Sequence, residues 1–95
     1  MVPFSVMETA FSGFELIKEM VEKGNPNSIT DAGVGALALR SCIRGAFLNV
    51  RINASGLKDK EFAEAIISKG EDIEKKAVTE EEQILDFINS NIRNR

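Results

Sequence analysis

The chain has 95 residues, with 12 basic and 15 acidic side chains, 43% hydrophobic residues, one cysteine and no histidine. This length allows one small domain at most, and the composition is typical of a folded protein. The formal net charge of −3 disfavours nucleic acid as the main partner, and no apolar run approaches the ~20 residues of a membrane span. Without histidine, zinc sites and Ser-His or Cys-His catalysis are excluded within the chain.

The single cysteine, Cys42, lies in an apolar stretch and has no second cysteine to pair with. We expect it to be a small buried side chain, with a reactive thiol as the alternative. The N-terminus lacks the basic-then-apolar pattern of a secretion signal. Together these features favour a reducing, cytoplasmic location.

The first predicted helix runs from Pro3 to Lys23. A proline suits the opening turn of a helix, where its missing N–H costs nothing. Apolar residues three or four positions apart predict one buried face, formed by Phe4, Met7, Phe11, Phe14, Ile17 and Val21. We expect Gly24 to cap this helix, and the following residues 25–27 to end it.

The second predicted helix runs from Ser28 to Asn53, with Ser28 and Asp31 at the spacing of a capping box. Its residues are apolar or small on almost every side, which predicts the buried centre of a helical bundle. One row of small residues would allow another helix to approach closely: Gly35, Ala38, Cys42, Gly45 and Asn49. Asn49 and Asn53 could make interface hydrogen bonds or contact a substrate.

Three arginines, Arg40, Arg44 and Arg51, lie on nearly the opposite side of this helix. They could pair with glutamates of the flanking helices, because a buried guanidinium needs an opposite charge. Alternatively, they could bind a polyanionic ligand through paired N–H groups.

The third predicted helix begins near Lys58 and Asp59 and continues to about Asn91. Its apolar positions repeat every eleven residues, in the series Phe62, Ile73, Ile84 and the series Ile66, Ala77, Ile88. We expect one helix about 50 Å long, although Gly70 could bend it and Thr79 could begin a new one. The charged residues 71–82 are interpreted as a solvated face. The predicted fold is all-α: a three-helix segment of a bundle with a long C-terminal helix.

Residues 33–38 match the G-x-G-x-x-A form of the dinucleotide fingerprint, but the fingerprint requires a preceding strand and the pattern upstream is helical. Close helix packing is the better interpretation of these glycines. The loop before the second helix brings Asn25, Asn27, Ser28 and Thr30 to a helix N-terminus, which favours an anion or a polar ligand. A turn capped by its own side chains is the alternative.

Residues 24–37 (GNPNSITDAGVGAL), 44–53 (RGAFLNVRIN) and 56–59 (GLKD) resemble the formiminotetrahydrofolate cyclodeaminase and methenyltetrahydrofolate cyclohydrolase family. The resemblance implies an all-helical, dimeric enzyme domain of folate one-carbon metabolism. A tetrahydrofolate derivative would be the substrate, with no cofactor and no metal. Cyclodeaminases convert 5-formiminotetrahydrofolate to 5,10-methenyltetrahydrofolate and release ammonia, whereas cyclohydrolases interconvert the methenyl and 10-formyl forms.

The same resemblance makes the loop residues Asn25, Asn27, Ser28 and Asp31 the best candidates for the substrate site. The arginines would meet the acidic glutamyl end of folate. The full candidate set is Asn25, Asn27, Ser28, Asp31, Arg40, Arg44, Asn49, Arg51 and Asn53.

The domains of this family are longer than the chain, which resembles their C-terminal half. We therefore expect a fragment whose catalytic acid or base lies outside it and which is inactive alone. The cyclodeaminase reaction is the first prediction and the cyclohydrolase reaction the second. A non-catalytic helical assembly module is the third, because the small-residue row and the long third helix suit oligomerisation.

Overall fold

The computed structural model describes the backbone of residues 2–23 and 26–93 and the side chains of residues 2–22 and 29–90. Within these ranges the chain forms three α-helices and no strand. They are α1 (Val2–Lys23), α2 (Pro26–Ser55) and α3 (Lys60–Arg93). The prediction of an all-α, three-helix segment with a long C-terminal helix is confirmed.

The predicted start of α2 at Ser28 is wrong, because the helix already begins at Pro26. Proline is well suited to the first turn of a helix, since its fixed φ angle is helical and the N–H it lacks would be unpaired there. Ser28 therefore lies inside the helix and is not its N-cap. The side chain of Ser28, and the predicted cap at Gly24, lie outside the described residues.

A short connection between α2 and α3 is fixed by local hydrogen bonds. The N–H groups of Gly56 and Leu57 donate to the carbonyl oxygens of Asn53 and Ala54, at 3.2 and 3.1 Å. Asp59 then caps α3, because its Oδ1 accepts a hydrogen bond of 3.0 Å from the N–H of Phe62. This carboxylate occupies the N-cap position, where it satisfies one of the free N–H groups of the first turn.

The core lies between the three helices, and α2 contacts both of the others more extensively than they contact each other. The face predicted for α1 is confirmed, since Met7, Phe14, Ile17 and Val21 are buried and Phe4 and Phe11 pack against them. The buried hydrophobic residues of α2 and α3 are Ala32, Ala36, Ile43, Ala46, Phe47, Val50, Ala54, Ala63, Ile66, Ala77, Ile84 and Ile88.

Helix α3 is one continuous helix of 34 residues, as the eleven-residue repeat predicts. It does not restart at Thr79, and Gly70 serves helix packing: a Cβ at this position would lie 2.5 Å from Cε1 of Phe47. Of the repeat, Ile66, Ala77 and Ile88 are buried, but Phe62 is 49% exposed.

The outer sides of α1 and α2 leave a continuous apolar surface uncovered, which we call the open face. Its exposed, uncharged residues are Val2, Val6, Leu16, Met20, Val34, Leu37, Ala38, Cys42, Gly45, Leu48, Asn49 and Ile52. The prediction that Cys42 is buried is therefore wrong. Although α2 is the central helix, Ala38, Cys42, Gly45 and Asn49 of the small-residue row are exposed among the described helices. Gly35, the first residue of the row, lies against Ile17 of α1.

Candidate functional site

The N-terminal end of α2 is the first predicted site. Its first turn contains no acidic residue, so no carboxylate of the turn itself neutralises the positive end of the helix dipole. Asp31 is exposed on the second turn, and Ile29 beside it packs against the core. The side chains of Asn25, Asn27 and Ser28 lie outside the described residues, so Asp31 is the member of this group with a described side chain.

The three arginines of α2 (Arg40, Arg44 and Arg51), which we call the arginine row, have different surroundings. The Arg40 side chain is 17% exposed, and its Nη1 lies 3.8 Å from Oε1 of Glu74, an ion pair too long for a hydrogen bond. The guanidinium carbon of Arg51 lies 4.4 Å from the centre of the Phe47 ring, a cation–π geometry. Arg44 is exposed. Arg40 thus pairs with a glutamate of a flanking helix, and Arg44 is the arginine best placed to meet a ligand.

An open depression of about 340 Å³ lies beside Arg51, between α2 and α3. It is lined by Phe47, Arg51, Glu71, Glu74, Lys75 and Val78. The two glutamates offset the positive charge of Arg51 and Lys75, so the depression is a poor site for a polyanion. The glutamyl end of a folate is therefore not favoured at this end of the arginine row.

The predicted site residues whose side chains are described do not all lie in one pocket. Asp31 and Asn53 lie on the same helix and are separated by ~33 Å along its axis. Asn49 and Asn53 are exposed, so neither requires a buried hydrogen-bond partner. Within this chain, the N-terminal end of α2 and the region of Arg51 and Asn53 must act as separate surfaces.

The glycines of the G-x-G-x-x-A sequence serve helix packing, as the sequence indicates. A Cβ at Gly33 would lie 3.0 Å from Cδ1 of Ile88 in α3, and one at Gly35 would lie 3.2 Å from Cδ1 of Ile17 in α1. Both glycines lie inside α2 with no strand before them in the described part of the chain. A dinucleotide site of the kind that this fingerprint marks is therefore absent from this segment.

The described residues contain no group of three or more acidic, histidine or cysteine side chains placed to hold a metal ion. None of their helices combines the length and the apolar character needed to cross a bilayer.

The expectation that the arginines pair with glutamates of a flanking helix is confirmed for Arg40, but the sequence did not identify which glutamates of α3 form ion pairs. Glu74 and Glu80 were assigned to a solvated face, yet both side chains are only 24% exposed and pair with Arg40 of α2 and Lys18 of α1. For Glu74 a signal was present. It lies four residues after Gly70 and three before Ala77, and these spacings place all three on one helix face.

The Arg40–Glu74 pair leads to a testable prediction. Glu74→Ala should lower the free energy of unfolding by about 1 kcal/mol, because it leaves a mostly buried guanidinium without an opposite charge. Arg40→Met should be close to neutral, because a flexible apolar side chain of similar length replaces the pair. Urea unfolding followed by circular dichroism measures both. If Glu74→Ala left the free energy of unfolding unchanged and Arg40→Met lowered it strongly, the Arg40–Glu74 pair would not contribute in the way described.

Comparison with known proteins gives related sequences over most of the chain. The profile of the formiminotransferase-cyclodeaminase family matches residues 1–72. A methenyltetrahydrofolate cyclohydrolase of Methylorubrum extorquens is 35% identical over 91 residues, which is 96% of this chain and 44% of that protein. The formimidoyltransferase-cyclodeaminase of Rattus norvegicus is 33% identical over 63 residues, 66% of this chain and 12% of that protein.

The chain therefore spans less than half the length of the curated relatives it matches. The family profile covers the whole of α1 and α2 and the first part of α3. The matched region includes the N-terminal end of α2, the arginine row and the open face. On this evidence the chain belongs to the formiminotransferase-cyclodeaminase family.

Proposed function

We propose that this chain supplies helices of an enzyme that forms or opens the 5,10-methenyl bridge of tetrahydrofolate. The observation that carries the proposal is the match to a methenyltetrahydrofolate cyclohydrolase, which is 35% identical over 96% of this chain. The family profile over residues 1–72 supports it.

Two reactions share this bridge. In a cyclodeaminase, N10 of 5-formiminotetrahydrofolate attacks the formimino carbon, a second C–N bond forms, and the former imino nitrogen leaves as ammonia after protonation. In a cyclohydrolase, water adds to the methenyl carbon, the bond to N5 breaks, and 10-formyltetrahydrofolate forms with release of a proton. Both reactions need proton transfer at the one-carbon unit, and neither needs a redox cofactor.

The cyclodeaminase reaction is our first candidate, and a specific observation favours the second. The relative whose match extends over nearly the whole chain is named a cyclohydrolase, whereas the match to the rat cyclodeaminase covers 66% of the chain. Incubation of the chain, alone and joined to the N-terminal half of a family domain, with 5-formiminotetrahydrofolate and, separately, with 5,10-methenyltetrahydrofolate distinguishes the two reactions. Ammonia release with gain of methenyl absorbance indicates the first, and enzyme-dependent loss of that absorbance indicates the second.

We assign substrate contacts to the N-terminal end of α2 and to Arg44. The free N–H groups of the first turn and the side chains of Asn25, Asn27 and Ser28 would bind polar groups of the pterin. Asp31 is the acidic residue next to them and would accept or donate a proton or a hydrogen bond. Exposed Arg44 would attract the glutamyl carboxylates.

Replacement of Asp31 tests this assignment. We expect Asp31→Asn to weaken binding of a tetrahydrofolate derivative by roughly ten- to hundredfold, because a lost hydrogen bond to a charged group is worth roughly 1.5–3 kcal/mol. Asp86→Asn is the matched control, since Asp86 is an exposed aspartate on the outer side of α3. A titration followed by the fluorescence of the folate ligand measures both dissociation constants, since the chain contains no tryptophan or tyrosine. Equal constants for the two variants would remove Asp31 from the site.

A non-catalytic assembly role is the third candidate, and the open face favours it. Large apolar side chains such as Ile52, Leu16 and Val34 are 63–68% exposed, and surfaces of this kind mark protein contacts. Assembly and catalysis are compatible. Absence of turnover and of folate binding, together with stable oligomers, would favour assembly alone.

A further inference from the structure

We infer that Ile88 of α3 is a positioning residue for Asp31, because it fixes the backbone of α2 that carries this carboxylate. This role rests on the proposed function, in which Asp31 contacts the folate. The family profile ends at residue 72, so Ile88 lies beyond the part of the chain that the profile covers. The last third of α3 thereby acquires a task in the substrate site.

The contact between the two helices is made at Gly33, two residues after Asp31. A Cβ at Gly33 would lie 3.0 Å from Cδ1 of Ile88 and 3.8 Å from Cδ2 of Leu85. The absence of a side chain at this position therefore allows α3 side chains to reach the backbone of α2. Ile88 is 5% exposed, and Ala32, which lies between Asp31 and Gly33, is 1% exposed. The segment that directly follows Asp31 is thus packed closely inside the protein.

Helix α3 reaches the end of α2 at which the candidate site lies. The two helices run antiparallel, since Gly70 lies against Phe47 and Ile88 lies against Gly33. Helix α3 continues past Ile88 to Arg93, so its last turn runs beside the first turn of α2. Helix ends open more readily than helix centres, and the first N–H groups of α2 have no partners within the helix. The contact of Ile88 with Gly33 therefore supports a part of α2 that is weakly held by its own hydrogen bonds.

Helix α3 is itself anchored at this level, as a positioning role requires. Glu80 forms an ion pair with Lys18 of α1, about two turns before Ile88 along the helix. Ile84, one turn before Ile88, is buried in the same hydrophobic core. These contacts fix the rotation of α3, so the same side of the helix always faces Gly33. The Asp31 side chain is exposed, so its position depends on the backbone that carries it rather than on burial.

The first test uses the free chain, so its result does not depend on the proposed reaction. Ile88→Ala should raise the hydrogen-exchange rates of the amides of residues 31–34 by ~tenfold or more, because the packing that closes this end of α2 is lost. Ile66→Ala is the matched control, since Ile66 is a buried isoleucine of the same helix near the other end of α2. After correction for global stability, it should leave these amides within about twofold of wild type.

The second test moves one methyl group across the contact. Gly33→Ala adds a carbon 3.0 Å from Cδ1 of Ile88, and Ile88→Val removes that Cδ1 atom. Gly33→Ala should raise the dissociation constant for 5,10-methenyltetrahydrofolate by roughly three- to tenfold, because a displacement of about 0.5–1 Å moves a site group out of its productive position. Addition of Ile88→Val should return the constant to within about twofold of wild type, because the packed volume is restored.

The third test determines whether the effect passes through Asp31. In an Asp31→Asn background, Gly33→Ala should change the dissociation constant by less than about twofold, because the carboxylate whose position it disturbs is already absent. Equal effects of Gly33→Ala with and without Asp31, or unchanged exchange rates in Ile88→Ala, would overturn the positioning role alone. A wild-type chain that does not bind the folate would instead remove the proposed function, and the role of Ile88 in the site with it.

Discussion

Phe14→Ala should destabilise the chain by about 3–5 kcal/mol, the cost of removing a buried aromatic ring and leaving a cavity. The Phe14 side chain is 1% exposed. Its ring also packs edge-to-face on Phe11, with 5.8 Å between the centroids. Small domains have few kcal/mol in reserve, so a large share of the variant should be unfolded at physiological temperature. Far-ultraviolet circular dichroism during urea titration measures the effect.

Phe62→Ala is the control for this experiment. Phe62 is 49% exposed, so its removal should cost much less than removal of Phe14. All comparisons require the same protein concentration, since any self-association would add to the apparent stability. Equal losses for the two variants would contradict the core described above.

Gly70→Ala should also destabilise the chain, by about 1–3 kcal/mol, although alanine is the better helix former. A Cβ at Gly70 would lie 2.5 and 2.7 Å from Cε1 and Cδ1 of Phe47. The Phe47 ring is rigid and 2% exposed, so it cannot move without disturbing the core. This overpacking should exceed the gain of up to about 1 kcal/mol from helix propensity.

Gly45→Ala is the matched control, because it makes the same replacement inside a helix with open space around the new methyl group. Measured at the same protein concentration as Gly70→Ala, this variant should be neutral or up to ~1 kcal/mol more stable. If Gly45→Ala lowered the free energy of unfolding and Gly70→Ala raised it, the packing assigned to the two glycines would be contradicted.

The helices could be predicted from the sequence because each carries a strong periodic signal. The three- and four-residue spacing from Phe14 to Ile17 and Val21 predicted the buried face of α1, and the eleven-residue repeat predicted the unbroken α3. The start of α2 could not be located as well. Pro26 can either end a helix or begin one, and Ser28 with Asp31 offered a competing start two residues later.

Burial of Cys42 was predicted wrongly for a different reason. An apolar sequence indicates that a helix side avoids water, but it does not say which polypeptide covers that side. The side of α2 that carries Cys42 and Gly45 has the composition of a core and is exposed in this chain.

The candidate site could be predicted in residue type but not in arrangement. Spacing on one helix face could not show that Glu74 pairs with Arg40, since that contact depends on the packing of α3 against α2. Nor could it show that Arg51 lies over the ring of Phe47. The contribution of Asp31 and the neighbouring loop remains a prediction.

The claim that this chain binds a tetrahydrofolate at the N-terminal end of α2 is tested most directly by nuclear magnetic resonance. A titration of the isotopically labelled chain with 5,10-methenyltetrahydrofolate would be followed through the amide signals. We expect saturable shifts at residues 25–31 and at Arg44, with little change around Ser68 and Asp86. Shifts confined to other residues, or no shifts at a saturating ligand concentration, would contradict the proposed site.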